Sequence, residues 1–284
     1  MNGNALRVLV NGQAHDCVPT SDRGLLYGDG VFETIAVSDG ELCYWEHHLQ
    51  RLQSGCERLG IEAASAGQLL EECRSLVQSS PRAVIKIIIT RGSGGRGYRV
   101  PVQSRPLRVV QLHDMPDYPA TCTERGVKTR ICRIRLGHNT ALAGIKHLNR
   151  LEQVMARREW DTPDVQEGLM LDTAGQLVEG TMSNVFMVKG AVLITPDLAL
   201  CGVAGIMRSR ALELAKLHGI KTRIQSVQPD ILMQADEVFI CNSLIGIWPV
   251  IGIDGHTFQK GPVTTHLQAL LADESGSVQT DKHF

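Results

Sequence analysis

Turn signals constrain the fold of this chain more than any other feature. Asn11-Gly12, Asp39-Gly40, Thr173-Ala174-Gly175 and Lys189-Gly190 each follow a short run of strand character. Turns of this kind close antiparallel hairpins, because glycine reaches the positive φ that a tight hairpin needs. The runs beside them are residues 6–10, 31–37, 168–172 with 176–178, and 183–188 with 191–195. Hairpins therefore outnumber clean strand–helix–strand alternations. That predicts an α+β fold with mixed or antiparallel sheets and flanking helices, not a doubly wound parallel sheet.

Helical periodicity fills the intervals. Trp45, Leu49, Leu52, Cys56 and Leu59 recur every three or four residues from about Glu46, and Gly60 stops that helix. A second helix is expected over 67–78. Residues 83–90, AVIKIIIT, are β-branched and read as a strand. The stretch that follows at 113–120 carries Pro116 and Pro119 without periodicity and reads as a linker. The expected division is a smaller N-terminal domain at 1–113, a linker at 114–120 and a larger C-terminal domain at 121–284. A chain of 284 residues is long enough to bury two such cores. In the second part, strands are expected at 127–134, 237–241 and 247–251. Helices are expected at 146–160, with Leu148, Leu151 and Met155 on one face, at 205–218, at 229–234, and from Pro262 to about Ala272.

Several function classes fall away. A formal net charge of −1 gives no broad attraction to nucleic acid or an anionic membrane. No apolar run approaches the length of a membrane span, and residues 1–12 lack a basic head followed by an apolar stretch. A cytoplasmic location is the expectation. No two of the eight cysteines lie closer than ten residues, so free thiols are expected and no metal site. Gly92, Gly94 and Gly97 fit GxGxxG after a strand, but Pro101 and Pro106 exclude the helix that a dinucleotide site needs. What remains is a surface loop, or a loop from which Arg91 and Arg96 reach a carboxylate.

The eight lysines can be sorted by setting. Seven fit ordinary solvated roles, Lys86 among them as an alternating strand position. Lys146 follows the apolar, glycine-containing ALAGI and stands at the expected mouth of a helix. A helix N-terminus and an apolar setting both disfavour an ammonium ion. From context alone two readings stay open, a Schiff-base lysine and an exposed helix-start lysine.

Three segments carry a resemblance: DRGLLYGDGVFET (22–34), TRGSGGRGY (90–98) and GIKHLNRLEQV (144–154). Together the chain resembles the aminodeoxychorismate lyases, within the branched-chain and D-amino-acid aminotransferase (fold-type IV) group of pyridoxal-phosphate enzymes. The likeness runs from Asn11 to about Ala272. It implies a two-domain fold, pyridoxal 5'-phosphate as cofactor, a homodimer, and cleavage of 4-amino-4-deoxychorismate to 4-aminobenzoate and pyruvate. By the same resemblance Lys146 is the Schiff-base lysine and Glu179 the carboxylate at the pyridine nitrogen. Arg51, the turn at Ile206 and Met207, and Ser243 bind the cofactor phosphate. Arg96 binds a substrate carboxylate, and Thr34 stands near the cofactor. Only the Ile206–Met207 turn has an independent warrant, since it opens a predicted helix. For Arg51 the sequence alone favours a solvated position off the apolar stripe of its helix. Leu151 stands where many aminotransferases of the group carry a tyrosine, which weakens the alternative of a D-amino-acid or branched-chain aminotransferase.

Overall fold

The computed structural model describes residues 7–78 and 80–277. The chain splits into two compact units, Met1–Asp117 with Ile145–Arg150, and Tyr118–Gly144 with Leu151–Phe284.

The first unit contains β1 (Val8–Val10), α1 (Arg23–Tyr27), β2 (Gly30–Ser38), β3 (Glu41–Leu42), α2 (Trp45–Leu59), α3 (Ala66–Val77), β4 (Arg82–Thr90) and β5 (Leu107–Asp114). Its sheet runs β1-β5-β4-β2-β3, antiparallel at every junction. β2 and β4 pair over nine residues, from Gly30 opposite Thr90 to Ser38 opposite Arg82. Alternation then sends Val31, Ile35 and Val37 of β2, with Ile85, Ile87 and Ile89 of β4, into one core with Leu49, Leu52 and Cys56 of α2 and Leu69 and Cys73 of α3. Gly60 ends α2 in the left-handed conformation at φ 63°, its N–H donating to the Cys56 and Glu57 carbonyls. The Asn11-Gly12 turn is present, but it closes only one bridge, Val10 to Gln13; β1 pairs with β5. β5 itself was not expected, and it runs to Asp114, into the start of the segment read as linker.

The second unit contains α4 (Thr121–Glu124), β6 (Val127–Leu136), α5 (Leu151–Arg157), β7 (Glu167–Asp172), β8 (Leu177–Gly180), β9 (Asn184–Lys189), β10 (Val192–Pro196), α6 (Ile206–Leu217), β11 (Lys221–Gln225), α7 (Pro229–Leu232), β12 (Glu237–Asn242), β13 (Gly246–Ile253), β14 (His256–Thr257) and α8 (Pro262–Ser277). The sheet order is β11-β10-β9-β12-β13-β6-β7-β8, with β14 on β13. The β10–β11, β13–β6 and β6–β7 pairs are parallel and the remainder antiparallel. The fold is α+β. The β9–β10 turn falls one residue later than expected, at Gly190-Ala191, both at positive φ as a two-residue hairpin requires. Among the described residues no helix is long and apolar enough to cross a membrane.

The helix expected over 146–160 is corrected. Ile145–Arg150 is extended and belongs with the first unit, not with the C-terminal part as the sequence reading had it. It lies along the edge of β2 that β3 leaves open. His147 bridges Val31, the Phe32 N–H donates to the Lys146 carbonyl at 3.0 Å, and the Leu148 N–H donates to the Gly30 carbonyl at 3.0 Å. Those backbone bonds outweigh the local helical pattern, and α5 starts only at Leu151. The expected apolar face fails with it: Leu151, Val154 and Met155 are exposed, while Gln153 and Ala156 are buried.

Candidate active site

In the first unit, β2 sorts its side chains to two sides. Phe32 and Thr34 share one face with Lys86, which stands directly opposite Thr34. The Lys146 ammonium lies 4.2 Å from the centre of the Phe32 ring and that of Lys86 lies 5.6 Å from it. Lys146 and the unforeseen Lys86 therefore lie against one aromatic ring, on the face of β2 that Thr34 shares. Lys146 is placed by the backbone pairing of its strand, so the helix dipole invoked from sequence does not act on it.

Glu33 points to the other side of β2, into the apolar stripe of Val31, Ile35 and Val37, and is 1% exposed. Its two oxygens accept Arg51 Nε–H at 2.7 Å and Arg51 Nη2–H at 2.6 Å. Oε2 also lies 2.6 Å from His48 Nδ1. Burial pushes the Glu33 carboxyl up, but the Arg51 charge and the hydrogen bonds from Arg51 and His48 outweigh it and hold the pKa at about 2. For His48, burial pushes the pKa down, and the Arg51 and Lys146 charges add to it against the pull of Glu33. The imidazole is thus neutral at pH 7 with Nδ1–H donating to Glu33. Its Nε2 is buried without a partner. Arg51 is not the solvated residue the helix pattern suggests, since only 14% of its side chain is exposed.

No helix follows the glycine-rich segment, in agreement with the prolines. Arg91 is buried and donates to the Asp29 carboxylate at 2.8 and 3.0 Å and to the Leu59 and Gly60 carbonyls at 2.7 and 2.8 Å. It fastens the end of α2 and is removed as a substrate contact. Arg96 is exposed, between Gly95 and Gly97.

The second unit holds the remaining residues. Glu179 on β8 is buried; its Oε2 accepts the Val203 N–H at 2.8 Å and its Oε1 lies 3.4 Å from Gln153 Nε2. Gln153 Oε1 is buried without a partner. Val203 leads to Gly205, where α6 begins with no side chain capping it, so Ile206 and Met207 supply the first N–H groups of a 12-residue helix. The Asn184 amide holds the Val203 carbonyl at 2.9 Å, and a Cβ on Gly205 would collide with Asn184 Oδ1. Ser243 sits in the β12–β13 turn, two residues past the Cys241–Asn184 pair. Glu179, Ile206, Met207 and Ser243 are thus joined through Asn184 and residues 203–205.

Residues 30–253 match the family model described as amino-transferase class IV. The chain belongs to the class IV aminotransferase family. Within this class IV family it is 37% identical to the aminodeoxychorismate lyase of Vibrio harveyi, over 92% of this chain and 98% of the relative. It is 29% identical to the D-alanine aminotransferase of Bacillus licheniformis, over 94% and 96%. Among solved structures, 4-amino-4-deoxychorismate lyase from Pseudomonas aeruginosa superposes with a TM-score of 0.91 at 44% identity, covering 94% of this chain and 98% of that one. The branched-chain aminotransferase of Escherichia coli follows the same class IV fold with a TM-score of 0.84 at 28% identity, covering 94% and 93%.

Sequence reasoning missed Glu33, His48, Lys86 and Gln153. For two of them a signal existed. Glu33 interrupts a stripe of Val31, Ile35 and Val37, and His48 lies three residues after Trp45 on the apolar stripe of α2. A charged or titratable group on a core stripe needs a buried partner.

Proposed function

We propose that this chain is a pyridoxal-phosphate-dependent lyase that converts 4-amino-4-deoxychorismate to 4-aminobenzoate and pyruvate, working as a cytoplasmic homodimer. The observation that carries the reading is the likeness to two lyases, at 44% and 37% identity over more than nine-tenths of the chain, against 28% and 29% for the two aminotransferases.

The residues present fit the cofactor. A phosphorylated pyridine aldehyde needs an amine, a buried anion for its ring nitrogen and donors for its phosphate. Lys146 is the amine. Glu179 is a buried carboxylate beside Gln153, whose Oε1 is buried without a partner, and α6 offers an uncapped start at Ile206 and Met207. Arg51 and Ser243 complete the phosphate donors. When bound, the cofactor supplies a protonated ring that accepts the electron pair released at the substrate carbon.

The protein's part is placement and proton transfer. Lys146 would hold the cofactor covalently; displaced by the substrate's 4-amino group, its free amine would then take the C4 proton of the substrate as general base. Glu179 keeps the proton on the ring nitrogen. Thr34 stands beside the same Phe32 face as Lys146, and Arg96 pairs with a substrate carboxylate. Loss of the C4 proton and of the enolpyruvyl ether makes the substrate ring aromatic, and the enol gains a proton at its methylene to become pyruvate. Because aromatisation drives the elimination, positioning is the main demand on the enzyme.

Lys146→Ala tests the reading. The variant is expected to keep its circular dichroism spectrum but lose both 4-aminobenzoate formation and the near-visible absorbance of bound cofactor. Full activity in that variant, or a wild-type enzyme that transfers amino groups to keto acids without releasing 4-aminobenzoate, would overturn it.

A further inference from the structure

The glycine-rich segment is gripped at both ends by a residue that the proposed chemistry leaves unused. Arg23, the second residue of the DRG motif, is 4% exposed. Its backbone N–H donates to the Gly92 carbonyl at 2.9 Å, at the start of the segment. Its guanidinium donates from Nη1 to the Gly97 carbonyl at 3.1 Å and from Nη2 to the Tyr98 carbonyl at 3.3 Å, at the far end. The third edge, Nε–H, is anchored on Asp29 Oδ2 at 2.8 Å. Asp29 is the carboxylate that also holds Arg91, and although burial pushes its pKa up, the two arginines hold it below the usual range, so it is ionised at neutral pH.

Further contacts stiffen the same arch. The Gly94 N–H donates to the Ser21 carbonyl at 3.2 Å, and the Ser21 and Ser93 hydroxyls are 3.0 Å apart. The Arg23 guanidinium lies 4.9 Å from the centre of the Tyr27 ring, which meets Tyr98 edge-on at 5.4 Å. Gly92 and Gly97 take φ of 84° and 85°, which other residues adopt at a cost. Arg96 is the residue carried between the Gly94 and Gly97 fastenings. An exposed arginine on a free glycine loop would lose much of its affinity for a carboxylate to the entropy of ordering the loop. Here the planar fork of Arg23 has ordered the loop in advance, a task that needs three directed N–H groups and that a lysine cannot reproduce.

We propose that Arg23 is a positioning residue for substrate recognition: anchored on Asp29, it holds the Gly97 and Tyr98 carbonyls and so presents Arg96 to the substrate carboxylate. The inference rests on the reading of Arg96 as a carboxylate contact. The test uses the holoenzyme carrying Arg23→Gln, Arg23→Lys or Gly97→Ala, each with Arg96 intact and with Arg96→Ala. The readouts are steady-state kinetics, the cofactor absorbance, and hydrogen exchange of a peptide spanning 93–100. Gly97→Ala perturbs the same carbonyl through its φ alone, since a Cβ there meets no atom within 4 Å, and it keeps the test valid if Arg23→Gln folds poorly.

Two lost hydrogen bonds translate to a KM raised roughly 5- to 30-fold in Arg23→Gln, with kcat within about twofold and the absorbance unchanged. Exchange in the loop speeds up, Arg23→Lys fails to restore KM, and in the Arg96→Ala background the same substitutions change KM by less than about twofold. Faster loop exchange with unchanged KM would overturn the positioning role while Arg96→Ala still raises KM. If instead Arg96→Ala leaves KM unchanged, the reading of Arg96 falls first, and the inference falls with it.

Discussion

Replacing Glu33 with glutamine tests whether its ion pair with Arg51 stabilises the first unit. The substitution keeps the shape of the side chain but removes the charge that two Arg51 N–H groups and His48 Nδ1 share at 2.6–2.7 Å. The folded pKa of about 2, against an ordinary value of 4.5, corresponds to roughly 3 kcal/mol at neutral pH. An independent route gives a similar figure, since removing one partner of a buried pair costs about 3–5 kcal/mol by stranding the other charge. The sign follows from the depressed pKa. The contribution is complete above the unfolded value near 4.5 and is lost as pH falls from there towards 2. Urea unfolding of wild type and Glu33→Gln at pH 7 and pH 3 measures it. The difference is expected to be about 3 kcal/mol at pH 7 and less than half of that at pH 3, because below about 4.5 the unfolded carboxyl takes up a proton that the native one does not bind until about 2. A difference below about 1 kcal/mol at pH 7, or one that does not shrink on acidification, refutes the argument.

Two further substitutions address the second unit. Glu179→Gln is expected to retain cofactor but to lose one to about four orders of magnitude in kcat, as positioned charge in an active site does; activity within twofold of wild type would assign the ring nitrogen to another group. Gly205→Ala places a methyl against Asn184 Oδ1 at the start of α6. It should weaken pyridoxal phosphate binding by about tenfold, a loss near 1.4 kcal/mol, while leaving the binding of unphosphorylated pyridoxal unchanged; equal losses for both ligands would show that the helix start does not contact the phosphate.

The sequence revealed the elements whose signals are local. Gly60 after a five-residue apolar stripe located the end of α2, and the run AVIKIIIT located β4. Gly205 located the start of α6. What it concealed depends on partners distant in the chain. Residues 146–150 have the composition of a helix start, but β2, more than a hundred positions earlier, supplies the backbone groups that keep them extended. The same contact explains why Leu148 and Leu151 share no face. Arg51 looks solvated on a helical wheel, because its partner Glu33 lies on another element. Arg91 and Arg96 are five residues apart on one loop, and only the position of Asp29 separates a buried fastener from an exposed contact. The resemblance supplied the roles of Lys146 and Glu179; the neighbours that set their surroundings, Phe32, Lys86 and Gln153, emerged only from the fold.

The extended segment at Lys146 also governs the order in which the molecule can be made. The first unit uses residues up to Asp117 and then waits for Ile145–Arg150. At about 5–20 residues per second, ribosomes need roughly 2–7 seconds to add the intervening stretch and the segment that covers β2. During that interval the nascent chain carries β2 with its Gly30–Phe32 edge bare, a template for pairing with any other extended chain nearby. The segment bearing Lys146 covers that edge when it arrives. Slowing translation between codons 117 and 150 should therefore raise aggregation of this chain more than the same pause placed after codon 150.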